Sequence, residues 1–339
     1  MSEQESNGMQ AHHQQSIFSP RRLGHVNFIV ADLERSIGFY QQACGLNLEF
    51  TETGIRAGFM GVGHTPHDIG MIEQTQEARY GRDGHLQMPR GVASRIGLNH
   101  LAWEMESEAA LVTAWEQAQA AGLGESSRTV DHQIARSIYL RDPDGNMNEF
   151  YADTIAEWRA VLHGDMDLIT STWEPGTPAP SPEPRWHENP PTRVFEGAVM
   201  QPRRLSHAVL LTPDLAPMLR FYTGIAGLRV VHAGADVALL RPRATQSAYQ
   251  LALVRSQEKG LHHFAFEVDG GTDWTGSALR LRDMGLAAES RQDGPLKRSL
   301  FVTDADGFLV EFCAPLPHAL ERLETAGWLP ISEDTAFRV

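Results

Sequence analysis

Cysteine is nearly absent from this chain of 339 residues: Cys44 and Cys313, one in each half, are the only two. That excludes a disulfide framework and a Cys-rich metal knuckle, and it fits a reducing cytoplasm. Apolar runs of membrane-span length are also missing although 42% of the residues are apolar, so the sequence reads as a soluble globular protein with no membrane partner. Positive charge is scarce. Lys and Arg number 29 against 43 Asp and Glu, a net charge of -14, which works against binding a phosphate backbone and removes nucleic acid from the expected partners. The first twenty residues are polar and lack an apolar signal core, so residues 1–20 are expected to be a disordered tail in which His12 and His13 are not ligands. The expected location is the cytoplasm.

The length is sufficient for two domains, each with its own core. From Arg21 the run RRLGHVNFIVADLERSIGFYQQACGLNLEF reads as strand, helix and strand: Asp32 is placed to cap the helix, Leu33, Ile37, Tyr40 and Cys44 recur near helical period, and Gly45 follows its end. Extended segments are expected near Gly58–Val62 and Ile69–Glu73, then a loop over Tyr80–Arg95. IGLNHLAWEME is another strand, Ser107–Ala121 an amphipathic helix closed by Gly122, and a hairpin turns at Asp142-Pro143-Asp144-Gly145. Thr154–Leu168 reads as a helix with Ile155, Trp158 and Leu162 on one side. Trp173–Pro202 is too rich in proline for a long helix or a central strand and reads as a surface linker.

The same programme then recurs. RRLSHAVLLTPDLAPMLRFYTGIAGLRV repeats the opening, so that His25, Asp32, Phe39 and Gly45 correspond to His207, Asp214, Phe221 and Gly227. KGLHHFAFEVD matches IGLNHLAWEME and aligns His263 with His100, while KRSLFVTDADGFLVEFCAP matches ARSIYLRDPDGNMNEFYAD and aligns Glu311 with Glu149. Repetition on this scale indicates duplication. The expected organisation is a first domain over 21–153, a helix and linker over 154–202, a second domain over 203–318 and a C-terminal segment over 319–339.

One span concentrates the chemistry: DHQIARSIYLRDPDGNMNEFYAD, Asp131 to Asp153, sets His132, Tyr139, the DPDG turn and Glu149 on one hairpin. This order resembles the signature of type I extradiol ring-cleaving dioxygenases in the vicinal-oxygen-chelate superfamily, most closely the catechol 2,3-dioxygenase branch. The resemblance implies an α+β fold of four βαβββ modules paired into two domains, each an incomplete barrel around a metal cup. It implies His25, His100 and Glu149 as metal ligands, a donor set that holds non-haem Fe(II) on one face and that Mn(II) also accepts. A divalent ion with one carboxylate leaves a single positive charge, which a catecholate monoanion neutralises. Tyr139 would then hydrogen-bond the ionised substrate oxygen and His132 would contact the reacting substrate. A further acid-base histidine is assigned to His85, with His64 and His67 as competitors. Asn27, Trp103 and Arg136 are expected against the substrate, with Met147 near by. The implied partners are a catecholic small molecule and O2, and a homo-oligomer is expected.

The second half departs from that signature. Phe301 stands where Tyr139 is, Ala305 replaces the proline, and no histidine lies in Ala287–Leu300 to answer His132. Chemistry is therefore assigned to the first domain, with His207, His263 and Glu311 as a second triad of open role. His262 beside His263 is ambiguous, because alternation along a strand turns only one of them inward. Three alternatives stay open: a module-exchanged site of His25, His263 and Glu311; a glyoxalase-like isomerase, lyase or resistance enzyme with Glu73 as fourth ligand; and a non-catalytic small-molecule binder.

Overall fold

The computed structural model describes residues 16–245, 247–291 and 296–318. β1 (Arg22–Val30) leads into α1 (Leu33–Gln42), where the Asp32 side chain accepts from the Arg35 N–H and caps the helix. Gly45, at φ +80°, reverses the chain; a side chain there would meet the Met200 carbonyl oxygen at 2.3 Å. β2 (Asn47–Glu52), β3 (Ala57–Gly61) and β4 (Ile69–Glu73) follow, and β4 lies parallel to β1. The expected loop over residues 80–95 carries part of a short hairpin of β5 (Arg79–Tyr80) and β6 (Leu86–Met88).

The second module repeats this order with β7 (Gly97–Glu104), α2 (Glu108–Ala120), β8 (Arg128–Asp131), β9 (Ala135–Arg141) and β10 (Met147–Asp153). β1 and β7 pair antiparallel and join the two modules. With β11 (Gly164–Met166) they make a nine-stranded sheet, β11-β2-β3-β4-β1-β7-β10-β9-β8. This pairing excludes the module-exchanged arrangement.

The second half builds β12 (Pro202–Thr212), α3 (Leu215–Arg220), β13 (Arg229–Ala233), β14 (Val237–Arg241) and β15 (Leu251–Arg255). It continues with β16 (Gly260–Val268), α4 (Trp274–Asp283), β17 (Ala288–Arg291), β18 (Lys297–Thr303) and β19 (Leu309–Pro315). The order β13-β14-β15-β12-β16-β19-β18-β17 reproduces the first sheet without its added edge strand. The fold is α+β, with four βαβββ units in two sheets.

Strand alternation sorts the side chains. Val26, Phe28 and Val30 of β1, Leu101 and Trp103 of β7, and Phe150 of β10 enter a core that continues into the second half through Phe264, Phe266 and Phe312. The intervening residues face the other way, and Ile29, Phe59, Ala102, Ile134 and Tyr151 form a separate apolar layer there. A register shift between Leu23 and His25 puts Leu23 in the first layer and frees His25 for the second. The halves are also locked by reciprocal hydrogen bonds: Tyr40 Oη donates to Asp304 at 3.1 Å, and Tyr222 Oη donates to Asp142 at 3.0 Å. Each tyrosine thus caps the signature turn of the opposite half.

Two expectations change. Thr154–Leu168 is not a helix: it holds one 3-10 turn, Trp158–Ala160, and then β11, which pairs with β2. Trp158 and Leu162 are buried, but in the inner apolar layer. Within the expected tail, Phe18 is fully buried and stacked on Phe150 at 3.9 Å between ring centres. Residues 1–15, with His12 and His13, and the segment 319–339 lie outside the described residues. The proline-rich segment has neither helix nor strand until β12 begins at Pro202, yet Trp173, Ala198 and Met200 anchor it by burial. Among the described residues no helix is long and apolar enough to cross a membrane.

Candidate metal centre

His25 on β1, His100 on β7 and Glu149 on β10 meet on the inner face of the first sheet. His25 pairs across the ladder with Ala102, and Glu149 pairs with Ala102 from the other side, so adjacent strands bring the three side chains to one level. Both imidazole Nε2 atoms lie 3.0 Å from Glu149 Oε2 and 3.3 Å from each other. Neighbouring ligands on an octahedral divalent ion with bonds of about 2.1 Å stand about 3 Å apart, so the donors fit such an ion. All three residues are buried.

The surrounding hydrogen bonds set the protonation a metal requires. Asn99, the extra residue of a second register shift, accepts from His100 Nδ1–H at 2.7 Å and leaves the Nε2 lone pair free. Ser137 Oγ donates to Glu149 Oε1 at 2.5 Å. Burial pushes the Glu149 carboxyl up, but the close approach of the His100 and His25 imidazoles outweighs it and holds it well below the usual carboxylate range. Burial lowers the His25 imidazole and outweighs the opposing pull of Glu149, which keeps a lone pair available.

A cavity of about 750 Å3 opens over the triad. His132 and Tyr139 stand in it as a pair, with Nε2 and Oη 3.0 Å apart and His132 Nε2 4.0 Å from Glu149 Oε1. Burial holds the His132 imidazole below its ordinary range and the Tyr139 phenol well above its own, the latter helped by the Glu149 charge. Asn27 and Met147 also line the cavity.

Other expected residues lie elsewhere. Trp103 is in the core, its indole N–H donating to Asn148 Oδ1 at 2.9 Å, and Arg136 bonds Glu108 and lies over the Trp173 ring. Both are three positions from an inward-facing residue, Trp103 from His100 and Arg136 from Tyr139, and an odd separation on a strand means the opposite face. His85 sits in the β5–β6 turn against Asp83 and Gly81 and does not line the cavity. His64 reaches the Arg203 carbonyl. His67 is the competitor that lines the cavity, its ring centre 4.1 Å from that of His25. Glu73 is held by Arg56 at 2.6 and 3.1 Å and supplies no fourth donor to the centre.

Sequence reading missed Glu52, a carboxyl in the cavity wall that is 6% exposed and pushed up to about 7 by burial, with Gln87 donating to it at 2.5 Å. The unfolded chain releases this proton near 4.5 and the folded one near 7. Stability is therefore lost as pH rises through that window. Glu52→Gln is expected to unfold in urea at a free energy about 1–3 kcal/mol above wild type at pH 8 and equal to it at pH 4. An equal gain at both pH values would contradict burial as the cause.

Residues 22–150 and 204–312 match the family model of the Glyoxalase/Bleomycin resistance protein/Dioxygenase superfamily. Metapyrocatechase 2 of Cupriavidus necator is 33% identical over 126 residues, which are 35% of this chain and 38% of that protein. The match thus spans little more than a third of that relative. Among solved structures, a Mn(II)-bound glyoxalase from Novosphingobium aromaticivorans aligns at 17% identity and a TM-score of 0.60, covering 87% of this chain and 82% of that one. Homoprotocatechuate 2,3-dioxygenase from Brevibacterium fuscum, in complex with 3,4-dihydroxyphenylacetate, aligns at 16% identity and a TM-score of 0.61, covering 88% and 82%. Those likenesses establish the fold, and the family match extends over both sheets. The chain belongs to the Glyoxalase/Bleomycin resistance protein/Dioxygenase superfamily.

Proposed function

We propose that this protein is an Fe(II)-dependent extradiol dioxygenase that opens a catecholic ring beside its two hydroxyls and incorporates both atoms of O2. The observation that carries the reading is a triad of two imidazoles and one carboxylate with a cavity on its open side, where a paired histidine and tyrosine wait. His25, His100 and Glu149 would hold the ion; the same donors accept Mn(II). When bound, the metal supplies adjacent sites for both substrate oxygens and O2, and a path for electrons between them.

The protein supplies geometry and proton transfer. Tyr139 Oη, kept protonated by burial, donates a hydrogen bond to the substrate oxygen that has lost its proton. His132 Nε2, held neutral by burial, accepts a proton from the substrate and returns it as the ring opens. Ile29, Phe59 and Met147 in the wall exclude water from the reacting ring. The glyoxalase-like alternative calls for a fourth protein ligand, and the ion pair of Glu73 with Arg56 speaks against it.

Protein loaded anaerobically with Fe(II), mixed with catechol and then exposed to air, is expected to form a yellow ring-opened product with one O2 consumed per catechol. Bound iron with no product from catechol, substituted catechols or hydroxylated bicyclic compounds would contradict the proposal.

A further inference from the structure

The second sheet carries its own triad, His207, His263 and Glu311, all buried, with both Nε2 atoms 2.9 and 3.2 Å from Glu311 Oε2. The supports are duplicated too. Ser299 donates to Glu311 Oε1 as Ser137 does to Glu149, and a register shift puts the extra residue His262 against His263 Nδ1 at 2.7 Å, where Asn99 serves His100. By donor type alone the second cup is as good a metal site as the first.

At the metal position itself the difference is Lys297, although Tyr249 Oη also lies 3.3 Å from His207 Nε2. Lys297 Nζ lies 2.6 Å from Glu311 Oε1, 2.8 Å from Glu311 Oε2 and 3.2 Å from His207 Nε2. An ammonium has three N–H groups and no acceptor, and here it has three acceptors, each an atom or the partner atom of a metal-ligand set. Strand register identifies its counterpart: Lys297 faces Pro315 four residues past Glu311, and Ala135 faces Asp153 four residues past Glu149. Alanine leaves the first cup open where lysine fills the second. The chain has only two lysines, Lys259 and Lys297, among its 29 basic residues, so this position holds a residue type that the rest of the sequence avoids. Arginine, with its rigid planar fork, would not enter a three-sided cup as a compact ammonium does.

We propose that Lys297 occupies the metal position of the second cup as a built-in cation, so that the chain binds one divalent ion and keeps a second, latent site closed by a single side chain. Charge favours this arrangement. Lys297 and Glu311 neutralise each other in the buried cup, and a divalent ion added beside the ammonium would leave two unbalanced positive charges in a cup walled by Leu296 and the Tyr249 ring. Lys297 thus does for the second sheet what a metal does for the first: it satisfies a buried carboxylate and two imidazoles. The contrast between the cups rests on the proposed use of the first triad, but the Lys297 contacts do not.

The test counts metal. Full-length protein is loaded anaerobically with Fe(II), desalted and measured for iron per chain by plasma mass spectrometry. Wild type is expected to hold about one ion, His25→Ala close to none, Lys297→Ala about two, and the double variant His25→Ala/Lys297→Ala about one, with Lys297→Met as a second variant that retains bulk without charge. Two ions in wild type, or one retained in His25→Ala, would overturn the proposal however the Lys297 variants fold. So would a Lys297→Ala protein with the wild-type circular dichroism spectrum and no added iron. No iron in wild type with one ion gained in Lys297→Ala would sink the first-cup reading and support this one.

Discussion

Glu149→Gln is expected to lower the iron content of anaerobically loaded protein from about one ion per chain to below about a tenth, and ring cleavage should fall with it to background. The residue supplies the only anionic donor of the triad, and its Oε2 is the atom both imidazoles approach at 3.0 Å. A neutral amide of the same shape still accepts from Ser137 Oγ on β9, so the sheet is retained while the charge that holds a divalent ion is gone. His25→Ala and His100→Ala should lose iron similarly. Circular dichroism and metal analysis on the same samples separate a lost ligand from a lost fold. Full iron occupancy and full activity in Glu149→Gln would contradict the assignment.

His132→Phe should keep its iron and lose about 10²- to 10⁴-fold in kcat, the range a positioned acid-base group contributes. His132 touches the site through Tyr139 and stands 4.0 Å from Glu149, beyond any ligand role. Tyr139→Phe should also keep its iron and slow turnover, with a larger rise in KM because its hydroxyl would anchor the ionised substrate oxygen. His85→Ala, with the ring in a turn outside the cavity, should leave kcat unchanged. Unchanged turnover in His132→Phe would transfer the proton role to His67, the other histidine in the cavity wall.

Much of this was legible in the sequence because the fold is written twice. The matched positions of His25 with His207, His100 with His263 and Glu149 with Glu311 fall at matched places in two sheets of the same strand order. The turn chemistry of Asp142 and Asp304 also appears as read, although its second use, receiving Tyr222 and Tyr40 from the opposite half, depends on tertiary packing that no local pattern contains. Strand parity alone turns Trp103 and Arg136 away from the cavity, each being an odd number of positions from an inward-facing residue. His85 was misplaced because loop spacing does not fix direction: Gly81 and Gly84 close a hairpin that turns its ring onto Asp83. The helix expected over Thr154–Leu168 failed because its apolar residues are drawn into the inner layer of the sheet and Gly164, at φ +66°, opens a strand. Lys297 is marked in the sequence only as a rare lysine two residues before the serine that supports Glu311.

On the proposed function, one divalent ion is held by His25, His100 and Glu149 with room beside it for a catechol. The direct measurement is a crystal structure of the anaerobic complex with Fe(II) and catechol, with anomalous scattering recorded at the iron edge. The account predicts one iron peak in the first cup, bonded to those three side chains and to both catechol oxygens. A peak between His207, His263 and Glu311, or an ion in the first cup enclosed by a fourth protein donor, would contradict it.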